Sequence, residues 1–247
     1  MASEGDRTEL TQPAPRGTDE VTVLTDGEIE VLGRMPWSSN ATYLVTVHHG
    51  DIEARAIYKP GRGERPLWDF PSGLYRREVA AYELSEAMGV HLVPTTVLRD
   101  GPFGEGSVQW FIPADFREHY FSMHETRPDL HDQFRAMAVF DVIANNTDRK
   151  SGHCLLDPDG RIWGIDNGLC FSADFKLRTV IWEFGGEPIP DTLLTAVEPL
   201  IESVPLRVST LLDDDEVAAI IERARDLLDD GVLPEDPSGR RYPWPLV

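Results

Sequence analysis

The sequence predicts an α+β fold of two lobes: an antiparallel sheet with one helix, then a mainly helical lobe that carries a short β-hairpin. Three observations predict it. Short β-type runs, separated by Gly, Pro and Asp turns, fill residues 21–112 and are broken by a single helical stretch. Beyond Pro113, apolar residues recur at helical spacing. Within that second half, Asp157-Pro158-Asp159-Gly160 joins two short apolar runs, with turn residues where a hairpin needs them.

Residues 1–19 are polar, contain Pro, Gly and Thr without periodicity, and read as a disordered leader. Strand candidates follow at 28–32, 42–49 and 53–59. Gly50-Asp51 turns the second into the third as an antiparallel hairpin. A loop at 61–73 precedes a helix at 74–88, where Val79, Tyr82, Leu84 and Ala87 offer apolar surface and Gly89 a C-terminal cap. Residues 93–98 and 107–112 read as two further strands around Asp100-Gly101-Pro102. In the second half, 130–145 is a strong helix, 154–156 and 161–165 form the hairpin, and 191–204 and 213–228 are helical. The acids at 213–216 suit the positive end of a helix dipole. Residues 234–247, with four prolines, read as an extended tail. The division expected is an N-lobe at 20–112 and a C-lobe at 113–233, forming one unit.

Composition narrows the function. The 247 residues carry 23 Lys+Arg against 43 Asp+Glu, a formal charge of −20. Such acidity argues against a nucleic-acid binder, which needs a basic face. No apolar run approaches the about 18 residues of a membrane span, so no stable membrane insertion is expected. The first residues lack the features of a signal peptide, and two cysteines make no disulfide framework, so the cytoplasm is the expected location. Neither cysteine sits in a Cys-x-x-Cys zinc pattern. Only three of the basic residues are lysines, Lys59, Lys150 and Lys176, which hints at positions wanting a compact ammonium.

The chemistry concentrates where the 130–145 helix enters the hairpin. The segment Asn146-Thr147-Asp148-Arg149-Lys150-Ser151-Gly152-His153 leads in, and Gly164-Ile165-Asp166-Asn167-Gly168 leads out. A hairpin returns its ends to one place, so Asp148 and Asp166 are expected near one another. A carboxylate, a ligand candidate five positions on, and an Asp-x-Gly past a short hairpin repeat the layout of phosphoryl-transfer machinery. Asp148 suits the acceptor hydroxyl, while Asp166 suits a metal ion that offsets developing charge. Upstream, Lys59 ends a strand and Glu78 lies on the next helix, placed to hold the ammonium towards phosphates. Ser38, Ser39 and Asn40 sit at the tip of a strand-joining loop that has no Gly-x-Gly-x-x-Gly, yet could cover phosphates with backbone N–H groups. Gln109, Trp110, Phe111 and Ile112, between the lobes, mark where an adenine ring would slot. Lys150 is a second candidate for the γ-phosphate.

Asn146-Thr147-Asp148-Arg149 with Ile165-Asp166-Asn167-Gly168-Leu169 resembles the phosphatidylinositol 3-/4-kinase superfamily, nearest its type II 4-kinase branch. Ser38-Ser39-Asn40-Ala41-Thr42-Tyr43, and Glu78-Val79-Ala80-Ala81-Tyr82 before Val93-Pro94, are similar to the same branch. The resemblance implies a two-lobed protein-kinase-like fold, ATP in the cleft, Mg2+ or Mn2+, and transfer of the γ-phosphate to a hydroxyl. It assigns Lys59 to the phosphates, Asp148 to the base and Asp166 to the metal. The family's second metal residue is Asn, and here that position is His153. Imidazole suits softer ions than Mg2+. Three readings of that position stay open: His153 binds a manganese-like ion, it touches phosphate, or one metal site is lost. The alternative to an active enzyme is a catalytically weak or inactive nucleotide-binding pseudokinase acting as a regulatory scaffold. A protein or small soluble alcohol is favoured as acceptor over an inositol lipid.

Overall fold

The computed structural model describes residues 18–35 and 40–247. Its first half holds α1 (Thr18–Asp26), β1 (Glu28–Arg34), β2 (Tyr43–His49), β3 (Ile52–Pro60), α2 (Leu74–Ala87), β4 (Thr96–Gly101) and β5 (Gly104–Trp110). The five strands form one antiparallel sheet in the order β1-β2-β3-β5-β4. Ala54, Ala56 and Tyr58 of β3 are buried with Val45, Val47 and Val108. Period-two alternation turns Ile57 and Lys59 to the opposite face. Lys59 lies opposite Ser107, and the next pair is Pro60 with Gly106. A Cβ at Gly106 would stand 2.4 Å from the Lys59 carbonyl oxygen, so glycine is needed for β5 to close on the strand that carries the lysine.

α1 was not expected. The expected leader lies outside the described residues except for its last two positions, which open this helix, and residues 21–26 are helical rather than extended. Val21, Thr22, Val23 and Thr25 are β-branched and favour a strand locally. Tertiary packing overrides that preference: Val23 and Leu24 are buried against the sheet. Arg99 Nη1 donates to the carbonyls of Leu24 and Gly27 at 2.7 and 2.8 Å, satisfying acceptors the helix end leaves open. Among the described residues the first half therefore has two α-helices, one strapped to the sheet and one carrying Glu78.

α2 begins after Gly73, whose φ of 98° suits glycine. Glu64 accepts hydrogen bonds from the backbone N–H of Gly73 and Tyr75 at 2.8 and 2.7 Å, placing a carboxylate at the positive helix end. Its apolar residues Ala80, Ala81 and Leu84 join the core centred on the second half, while the helix also lies against β4 and β5. Ala87, expected to be apolar surface for packing, is exposed.

The second half contains α3 (Tyr120–Thr126), α4 (His131–Ala144), the hairpin β6 (Cys154–Leu156) and β7 (Ile162–Gly164), α5 (Asp191–Val197), α6 (Leu206–Ser209) and α7 (Asp214–Asp230). Phe134, Met137, Phe140 and Ile143 on α4 are fully buried and centre its core. Burying each such side chain is worth about 1.5–3 kcal/mol. α3 and α6 are too short to show periodicity in sequence. The helix expected at 191–204 ends as α5, and Pro199 opens a following 3-10 turn, Glu198–Ile201. Past the bridge at Val232 no helix or strand forms, and the tail lies on the second half through bonds from Thr179 N to the Arg241 carbonyl and from Ser151 N to that of Leu246. No helix among the described residues is long and apolar enough to cross a membrane.

Candidate active site

α4 stops at Asn145, whose φ of 48° and ψ of 54° turn the chain out of the helix. Its buried amide donates to the carbonyls of Ser172 and Asp174 at 2.8 and 2.7 Å and accepts from Lys176 N at 2.9 Å, so the helix end and the segment after Asp166 are tied together. Arg149 then occupies the centre of the loop between α4 and β6 with no exposure. Its guanidinium makes a fully buried ion pair with Asp141 on α4, through Nε and Nη2 at 3.0–3.2 Å. Nη1 donates to the Ile165 carbonyl at 2.9 Å and Nη2 to Asn167 Oδ1 at 2.7 Å. One side chain thus joins both ends of the hairpin to the helix before it. A Cβ at Gly164 would lie 3.1 Å from Nη2, so that glycine makes room for the guanidinium. Asn146 completes the hub, donating to Asp141 at 3.1 Å and accepting from Asp148 N at 2.9 Å.

The hairpin pairs Cys154 with Gly164 and Leu156 with Ile162, and Ile165 N donates to the His153 carbonyl at 3.0 Å. His153 and Asp166 are therefore brought alongside, with Nε2 3.4 Å from Asp166 Oδ2. Asp166 has φ of 59°, a left-handed conformation that non-glycine residues rarely adopt. Its neighbours hold it there, since the Ile165 carbonyl is taken by Arg149 and Asn167 N donates to Glu78 Oε2 at 3.0 Å. Gly168 supplies space: a Cβ there would meet Glu78 Oε1 at 3.3 Å.

Lys59 completes the group. Its ammonium makes a very short contact with Glu78 Oε1 and a second bond, 2.8 Å, with Asp166 Oδ1. Lys150 Nζ donates to Asp148 Oδ2 at 2.8 Å, and His153 Nδ1 lies 3.0 Å from the Asp148 carbonyl oxygen. Glu78, Lys59, Asp166, His153, Asp148 and Lys150 form one continuous chain of contacts.

Charge states follow from these neighbours. Burial works against the Lys59 ammonium, but the Asp166 and Glu78 carboxylates outweigh it and hold the group above the usual lysine range. The Lys59 charge keeps Asp166 well below the carboxylate range despite burial. Burial raises Asp148, and Lys150 only partly offsets this. Burial pushes His153 down to about 4, against the pull of Asp166, so the ring is neutral at pH 7. In the tautomer with its hydrogen on Nδ1, the ring donates to the Asp148 carbonyl at 3.0 Å and keeps a lone pair on Nε2 beside Asp166. This is how a metal-binding histidine is commonly oriented. An imidazole nitrogen next to a carboxylate fits a divalent ion of borderline hardness such as Mn2+, while Asp166 alone fits Mg2+. Among the described residues no group of three or more His, Cys, Asp or Glu side chains could hold a metal. Phosphate oxygens and water would supply the remaining ligands.

The other candidates fall as follows. Ser38 and Ser39 lie outside the described residues. Asn40 Oδ1 accepts from Arg65 N at 3.0 Å, fixing the loop to the turn after β3. Trp110 and Ile112 are packed in the sheet's core, and the buried Gln109 amide is engaged with Thr96 Oγ1 at 2.9 Å. Phe111 alone of the four keeps partial exposure, and its N–H donates to the Arg55 carbonyl. Sequence reasoning missed the roles of Asp141 and Asn167. An acid inside the apolar run Val139-Phe140-Asp141-Val142-Ile143 was the available signal, since a buried charge requires a partner.

A sheet with its lysine–glutamate pair, set over a helical half that carries paired acids on a hairpin, defines a two-lobed kinase-like fold. A Helicobacter pylori crystal structure, described as the proinflammatory kinase CtkA, superposes with a TM-score of 0.50 at 11% identity, covering 85% of this chain and 94% of that one. The family model for phosphatidylinositol 3- and 4-kinase matches residues 74–209, and the chain belongs to that family. It is also 40% identical to Protein Rv2133c of Mycobacterium tuberculosis over 268 aligned positions, covering 92% of this chain and 95% of that protein.

Proposed function

We propose that the chain transfers the γ-phosphate of ATP to a hydroxyl acceptor. The observation that carries this reading is the unbroken line of contacts from Glu78 through Lys59, Asp166 and His153 to Asp148 and Lys150. Lys59, fully charged and steered by Glu78, would grip the nucleotide's phosphates. Asp148, raised by burial, is suited to orient the acceptor hydroxyl and take its proton. Lys150, bonded to Asp148, would neutralise charge on the phosphoryl group as it moves. Asp166 with His153 would hold the divalent ion, which bridges phosphate oxygens and offsets their charge. Phe111 and the neighbouring backbone between the halves would face the base.

The division proposed is an N-lobe at 20–112 and a C-lobe at 113–233, with its cleft at this line of contacts. The motifs favour a place nearest the type II 4-kinase branch. The charge of −20 favours a soluble acceptor, a protein or small alcohol, over an inositol lipid, and the two cysteines, too few for a disulfide framework, favour a cytoplasmic setting. One feature favours a second reading, a nucleotide-binding pseudokinase: a nitrogen ligand stands at a magnesium position.

Release of γ-phosphate from ATP by the purified chain, with Mg2+ and with Mn2+ and a mixed acceptor pool, separates the two. Turnover that falls at least about 100-fold in Asp148→Asn is the expected result. Thermal stabilisation by ATP with no turnover in either protein would favour the pseudokinase.

A further inference from the structure

Arg77 and Glu216 form a buried ion pair outside the line of contacts described above. Arg77 is 3% exposed and Glu216 6%. Arg77 Nη2 lies 2.5 Å from Glu216 Oε1, and Nη1 lies 3.3 Å from Oε2. Glu216 sits in the first turn of α7, where Oε2 also accepts from Asp213 N at 3.1 Å. The guanidinium stands over the Phe70 ring, 5.8 Å from its centroid, and Lys176 Nζ approaches the same ring at 5.6 Å. Arg77 therefore fastens α2 both to the last helix and, through Phe70, to the segment that follows Asp166.

Arg77 is the residue beside Glu78, and consecutive helical side chains leave the axis about 100° apart. One points to α7, the other to Lys59 and to Asn167 N. A buried ion pair adds little net stability over a packed apolar pair, because both charges must be desolvated. What it does supply is a fixed register. The Glu78 carboxylate must reach two partners at once, and a small rotation of α2 removes it from both.

We propose that Arg77, through Glu216, is a positioning residue that holds α2 in the rotation presenting Glu78 to Lys59. The inference deepens the phosphotransfer reading and rests on it for its consequence, though not for its geometry. The C-terminal helix α7 thereby sets the phosphate-binding lysine of the opposite half.

The chain's three lysines allow a test that needs no nucleotide. Native protein, Arg77→Met, and the double variant Arg77→Met with Glu216→Leu are treated with an amine-acylating reagent, and modification is read by mass spectrometry. The double variant replaces the pair with apolar groups, so it keeps the fold if the single variant does not; circular dichroism and thermal unfolding verify this. Acylation of Lys59 is expected to rise about tenfold while Lys150 reacts at its native rate. Affinity for ATP, by calorimetry, is expected to fall about tenfold, and removing Arg77 from a Glu78→Gln background should add nothing further. A folded double variant with native Lys59 reactivity overturns the proposal, as does full additivity with Glu78→Gln. If the native protein binds no ATP, the phosphotransfer reading fails, and Lys59 acylation still decides the role of Arg77.

Discussion

Burial keeps the His153 ring neutral down to about pH 4, whereas in an unfolded chain a histidine protonates near its ordinary value, about 6.5. Between those values the unfolded state binds the extra proton. Stability contributed by this residue is therefore complete above about pH 6.5 and is lost as pH falls towards 4. Asp148, raised by burial, acts in the opposite sense, because its folded form protonates more readily. Urea unfolding in chelator isolates the histidine. Between pH 7 and pH 5 the native chain should lose about 2 kcal/mol more than His153→Asn; equal losses would contradict the buried neutral ring. The nearness of Asp148, His153 and Asp166 is legible in the sequence because a short hairpin has to bring its flanks together. The Asp141–Arg149 pair is not, because the two lie eight positions apart across a helix end and loop, and only the packed core decides which way each points.

At the scale of elements, the end of α4 is the most exacting piece of local structure. Asn145 combines a left-handed backbone with three hydrogen bonds made by its side chain. Asn145→Ala should cost about 3 kcal/mol, from backbone strain and unpaired carbonyls together, and Asn145→Gly about 1 kcal/mol less. Equilibrium unfolding of the two variants measures the difference, and equal costs would remove the backbone contribution. The strands, α2, α4 and α7 are readable in sequence because alternation, helical spacing and caps agree. α1 is not: its β-branched residues favour extended chain, and only contacts with the sheet and Arg99 reverse that preference. The buried Gln109, Trp110 and Ile112 carry a similar lesson, since sequence order marks the junction between halves but not which side chains face it.

In the whole molecule, α2 bridges the two halves, lying against β4 and β5 and against α6 while its apolar residues enter the second-half core. Its Ala80, Ala81 and Leu84 share a core with Phe134 and Met137 of α4, and Arg77 joins it to α7. Native-state hydrogen exchange should therefore give α2 amides the protection of α4 rather than that of β2 and β3. Protection matching the sheet would place the mechanical boundary on the other side of the helix. This division bears on Asp166. Its backbone sits in a conformation costing about 1 kcal/mol or more, and two braces keep it there: Arg149 from below and Glu78 from above. Were the upper brace withdrawn, the peptide would relax to extended geometry and swing the carboxylate aside. The acid is thus a latch, set only while α2 keeps its place against the loop that carries it.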